Sequence, residues 1–126
     1  LLMKFNNDKR FDLDLAYGQV FEKKVADIFS NSKIEVKTEK NKWKQTGNIV
    51  IEFESRGRAS GIRTTEADFW IHNLAIDDAI VFSLLLPIPT LRAYIETNNP
   101  RVVRGGDDMT SKLYLIKLTD LVKLIE

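Results

Sequence analysis

The chain contains no cysteine. Disulfides and thiolate metal sites are therefore excluded, and a reducing compartment fits. It holds one histidine, His72, which argues against a histidine-rich metal centre and against a Ser-His-Asp triad. Any chemistry must come from carboxylates, amines and hydroxyls. Long apolar runs are missing too. The longest, Ala79 to Pro87, falls far short of the roughly 20 residues that cross a bilayer, and no secretory signal is read. No membrane partner is expected, and the cytoplasm, the host's if the chain is viral, is the expected location. Finally, net charge is only +1, so the whole molecule is not a polycation.

What is present suits one folded domain over 1–126. Hydrophobic residues make up 44% of the 126, enough to bury a core without staples. Leu1 and Leu2 precede Met3 and read as a cloning remnant or frame artefact. The charge is unevenly spread. Between Lys33 and Arg63 stand eight basic residues against four acidic ones. Such a local surface attracts a polyanion even when net charge is near zero.

Periodicity supplies the elements. Asp12 to Asp14 offers cap chemistry for a helix over about 16–30, with Tyr17, Phe21, Val25 and Ile28 as its core stripe. Glu22 sits beside that stripe, next to Gly18, Val25, Ala26 and Phe29. Strands are predicted at 33–39, 48–54, 69–74, 79–86 and 112–118. The fourth is apolar almost throughout and should be buried on both faces. Residues 40–47, the Arg/Gly-rich stretch after Ser55, and 98–111 read as loops. Thr64 and Thr65 can start one helical turn. Thr90 can cap a helix over 91–97, and another closes the chain over 119–125. This is an α/β order, with a mixed sheet flanked by helices.

Strand alternation puts Glu35, Lys37 and Glu39 on one face and Ile34 and Val36 on the other. In the next strand Val50, Glu52 and Glu54 share a face. If the two strands pair as an antiparallel hairpin, their charged faces coincide. One register then sets Glu35 opposite Glu52 and Lys37 opposite Val50, and a two-residue slip sets Lys37 opposite Glu52. Opposed carboxylates repel unless a cation lies between them. A hard ion such as Mg²⁺ resolves this with oxygen ligands, and Lys37 can pair with the acids, orient a water or stabilise charge on a phosphate. The competing reading is a solvated strand face with an ion pair worth about 0–1 kcal/mol.

Glu35-Val36-Lys37 resembles the E-x-K element of the PD-(D/E)xK nuclease superfamily, the fold of many restriction enzymes and Holliday-junction resolvases. Glu22 in "GQVFEKKVADIF" matches the acid that family often carries on its first helix. Glu52 is the best match for the acid on a neighbouring strand. "TGNIVIEFESRGRASGIRTTEADFW" also looks like phage-type members. The resemblance spans roughly 18–73. It implies a restriction-endonuclease-like mixed sheet of about five strands and a nuclease that hydrolyses phosphodiester bonds in DNA. It implies Mg²⁺ or Mn²⁺ held by Glu35, Glu52 and Glu22, with Lys37 at the reacting phosphate. The sequence departs from the pattern: no Pro-Asp precedes Glu35, and Glu52 follows the E-x-K element. Cutting both strands would call for a homodimer.

The basic residues are the expected DNA contacts. Lys40, Lys42 and Lys44 surround Trp43, whose indole can stack on a base. Arg56, Arg58 and Arg63 lie in a flexible loop whose guanidinium groups can fork onto phosphate. His72, between Trp70 and Leu74, is expected to be structural. Thr65 and Asp68 should organise the turn after the arginines, and Gly105 to Asp108 a plain turn. A non-catalytic nucleic-acid-binding module and a structural protein-interaction subunit are the alternatives to an enzyme.

Overall fold

In the computed structural model, residues 9–123 are described, with side chains from residue 13 onward. Leu1, Leu2 and the end of the expected last helix lie outside them. The chain is α/β and divides into two units, 1–32 and 33–126. The first is carried by helix α1 (Lys9–Asn31). It starts earlier than predicted, so Asp12 and Asp14 lie inside it rather than at its cap. Tyr17, Phe21 and Val25, three of the four residues of the expected core stripe, are exposed on it, and Ile28 is half-buried. Tyr17 and Phe21 pack against each other, rings tilted, at 4.7 Å between centres.

The second unit contains two sheets. The first has three strands: β1 (Ile34–Lys40), then β4 (Phe69–Ile76), then β5 (Ala79–Pro87). In it β1 runs parallel to β4, and β5 antiparallel. The second has four antiparallel strands in the order β3 (Arg58–Ala59), β2 (Asn48–Ser55), β7 (Ser111–Lys117), β6 (Arg101–Gly105). Helix α2 (Lys42–Thr46) links β1 to β2, and α3 (Ile88–Asn98) follows β5. The core is one cluster, with Trp70 and Leu74 from β4, Ile49 and Ile51 from β2, and Leu91 from α3.

The expected β1–β2 hairpin does not form. Glu35 lies opposite Trp70 and Lys37 opposite His72, whereas Glu52 lies opposite Leu113. The reason is α2. Residues 40–47, expected as a polar loop, coil into a helix that ends at Gly47 in the left-handed conformation, φ +72°. Its Trp43 is buried and donates Nε1–H to the Ala75 carbonyl at 2.8 Å. This anchor carries the chain from one sheet into the other.

Other boundaries move for local reasons. Pro87 caps α3 and Pro89 fits its first turn, so Thr90 lies within the helix. The stretch 98–111 contains β6, which pairs with β7 along its whole length. The final segment, 118–123, is a 3₁₀ helix. Strand β5 is an edge strand, with Ile80 60% and Phe82 59% exposed. An apolar run alone does not distinguish a central strand from an edge one.

Between the sheets stands Glu39. Its Oε1 accepts the backbone N–H of Val50 in β2 and Nε2–H of His72 in β4, the latter at 2.8 Å. Trp70 Nε1 can only donate, and it donates to Nδ1 of His72 at 3.0 Å. That fixes the tautomer and makes His72, 1% exposed, the structural histidine expected. Glu39→Ala should leave two donors unmet and cost about 2–3 kcal/mol in urea unfolding. Glu39→Gln keeps an acceptor oxygen and should cost less than about 1 kcal/mol. An alanine variant as stable as the parent would mean the bridge does not hold the sheets.

Candidate functional site

Glu35 and Glu52 belong to different sheets, yet one short segment grips both. After β2 the chain turns back through Arg56 and Gly57, at φ +51° and +77°, a two-residue hairpin of the kind positive φ permits. The expected flexible Arg/Gly loop is therefore a tight turn leading into β3. Ser60 then donates its hydroxyl to Glu52 Oε2 at 3.0 Å, and Thr65 donates to Glu35 Oε1 at 3.1 Å. Between them residues 61–63 make one 3₁₀ turn, closed by Thr64 N–H on the Gly61 carbonyl at 3.2 Å.

Gly61 makes this approach feasible. Its φ is +52°, and a Cβ there would sit 2.1 Å from the Glu52 carbonyl oxygen. Only a residue without a side chain lets the loop lie on the strand. Arg92 of α3 fixes the loop from behind. Its Nε and Nη2 donate to the Ile62 carbonyl at 3.2 and 3.0 Å, and Nη2 also donates to Thr65 O at 2.9 Å. Thr65 organises the following turn as expected, its Oγ1 accepting Ala67 N–H, while Asp68 Oδ2 instead accepts the N–H of Lys33 ahead of β1.

The remaining candidates separate into groups. Lys37 Nζ lies 3.9 Å from Glu35 Oε2, both partly exposed, a loose pair worth about 0–1 kcal/mol. Arg63 is engaged within the protein: its guanidinium lies 4.7 Å above the Phe53 ring and 3.9 Å from Glu54. Lys112 takes the other oxygen of Glu54 at 3.3 Å. Arg56 and Arg58 are exposed at the hairpin tip, and Lys40, Lys42 and Lys44 are exposed around α2. Trp43, expected to stack on a base, is a core residue instead. Glu22 is exposed on α1 beside a shallow hollow that includes Gly18, Val25 and Ala26 of its expected neighbours, but Phe21 rather than Phe29.

Sequence reasoning passed over Ser60, Gly61 and Arg92 as site-shaping residues, and Glu39 as a bridge. Ser60-Gly61 read only as turn chemistry, and a helical arginine reads as solvated. The partners that give them meaning are remote in the chain. Among the described residues, no three His, Asp or Glu side chains lie within reach of one metal ion. Glu35 and Glu52 are carboxylates, the kind of oxygen ligand that Mg²⁺ takes. Each has one oxygen committed to a hydroxyl. No family model, characterised protein or solved structure matches the chain.

Gly61→Ala should destabilise by about 2–4 kcal/mol, combining left-handed strain with a steric clash. Gly18→Ala, in a helix and with open space around its Cβ position, should be neutral or stabilise α1 by up to about 1 kcal/mol. Urea unfolding of the two variants reads the contrast. Equal stabilities would mean the loop does not depend on its glycine.

Proposed function

We propose that this chain is a metal-dependent nuclease that hydrolyses phosphodiester bonds in DNA. The observation that supports this reading best is the grip of one loop on two acids from different sheets. Side chains that must hold an ion need fixed rotamers, and hydroxyl partners supply them. Glu35 and Glu52 would hold Mg²⁺ or Mn²⁺. The metal, when bound, would lower the pKa of a water and stabilise charge on phosphate. Lys37, loosely paired with Glu35, is free to turn its ammonium towards a phosphate oxygen. Ser60 and Thr65 keep the carboxylates aimed while Arg92 keeps those hydroxyls in place. Arg56 and Arg58 at the hairpin tip would hold the DNA backbone.

A non-catalytic nucleic-acid-binding module is the second reading. What favours it is a basic rim around α2 and β6, built without Glu35 or Glu52. Location in the cytoplasm, the host's if the chain is viral, belongs to the proposal as well. Among the described residues no helix is long and apolar enough to cross a membrane.

Lys37→Ala separates the two readings. For an enzyme it should lower single-turnover cleavage in Mn²⁺ by roughly 10²–10³, the usual scale for removing one electrostatic group from the transition state. Binding measured in Ca²⁺ should change only a few-fold. Cleavage within a few-fold of the parent would remove Lys37 from the mechanism. No cleavage by the parent protein, with DNA binding retained, would establish the module.

A further inference from the structure

A groove of about 470 Å³ opens beside α2, away from the loop that grips Glu35 and Glu52. Its floor is apolar. Val50 faces Leu115 across one strand pair and Val103 faces Leu113 across another, so all four lie on one side of the four-stranded sheet. They are half-buried, enough to shape a surface and still meet a ligand. The rim is cationic, with Lys40, Lys42 and Arg104. All three are exposed, and among the described residues none lies in ion-pair range of a carboxylate. One acid lines the groove: Glu39, rigidly held through Oε1 by His72 and Val50. Its Oε2 has no hydrogen-bond donor among the described residues.

An apolar floor, a fixed acceptor and unpaired cations are the complement of a nucleotide. A base ring covers the aliphatic side chains, and phosphates meet the lysines and the arginine. A carboxylate accepts from an exocyclic amino group, as from N4 of cytosine or N6 of adenine. Thymine places a carbonyl oxygen where cytosine carries its amino group and keeps only its N3–H to donate, so it pairs less well with the carboxylate. In a duplex the bases are stacked and paired, so no ring is free to lie on the apolar floor. Glu39 is four residues from Glu35 along β1, roughly 13 Å. A strand seated in the groove thus lies within a few nucleotides of the acids.

We infer that this groove holds an unpaired, amino-bearing base of single-stranded DNA, with Glu39 as the acceptor and Lys40, Lys42 and Arg104 on the flanking phosphates. The inference rests on the nucleic-acid reading above and names the strand state of its ligand. It is tested without metal, so an absent nuclease activity leaves it standing or falling by itself. Fluorescence anisotropy in EDTA compares labelled oligo-dC, oligo-dT and a duplex on the full chain.

Oligo-dC should bind tightest, and the duplex about tenfold more weakly or worse, the scale of one charge-assisted hydrogen bond. Lys42→Glu and Arg104→Glu should each weaken oligo-dC about tenfold on the same scale. Each should also flatten the log–log salt slope by about 0.7 for every phosphate no longer neutralised. Lys117→Glu, exposed and outside the groove, is the charge control and should have a far smaller effect. Glu39→Gln, which adds a donor, should narrow the gap between oligo-dC and oligo-dT. Near-UV circular dichroism confirms that the surface variants fold. Equal binding of duplex and single strand, a preference for oligo-dT, or a Lys117→Glu effect as large as that of Lys42→Glu would each overturn the inference.

Discussion

The carboxylate of Glu39 ties the two sheets of the second unit together. It takes a backbone donor from β2 and a ring donor from β4, so the gap between the sheets is spanned by a side chain. Buried donors without partners cost about 1–3 kcal/mol each, which makes this acceptor hard to replace. Trp70 extends the connection by fixing the His72 tautomer. The charge of β1 therefore points partly inward, while Val36 on its other face is 54% exposed. That reverses the usual sense of an alternating strand.

The placement of both candidate surfaces follows from this arrangement. Because Glu39 holds β1 near β2, the loop 60–65 can reach an acid on each. Ser60, Gly61 and Thr65 are close in sequence, yet they connect strands from two sheets. Arg92 adds a third element by capping two carbonyls of the same loop. The groove at the far end of β1 depends on the same residue, since Glu39 supplies its only acidic side chain among the described residues that line it. One strand thus carries a loosely paired lysine, a gripped acid and a bridging acid in alternate positions.

Much of the local structure was legible. The period-2 pattern of β1, β2 and β7 located strands to within a residue or two. The isolated histidine between apolar neighbours was rightly assigned to the core. Trp43 was misread because its neighbours are lysines. A five-residue helix with one inward face shows no recurring period, so nothing near it signals burial. The apolar β5 was misread for the opposite reason. Hydrophobicity reports what a strand can bury, and its neighbours in the sheet determine whether it does. The β1–β2 pairing failed because two adjacent alternating segments fit a hairpin equally well in isolation.

By itself the sequence determined that the chain is α/β, that Glu35, Lys37 and Glu39 share a face, and that cysteine chemistry is closed to it. Those properties are local or compositional: backbone alternation and residue identity fix them wherever the strand ends up. Tertiary structure alone decided which strands pair, which of the three charged side chains turns inward, and that Ser60 and Thr65 meet acids 8 and 30 residues away. Pairing partners compete on nearly equal backbone hydrogen bonds, so the choice falls to remote packing. Here the burial of Trp43 against Ala75 and the reach of Glu39 to Val50 made it.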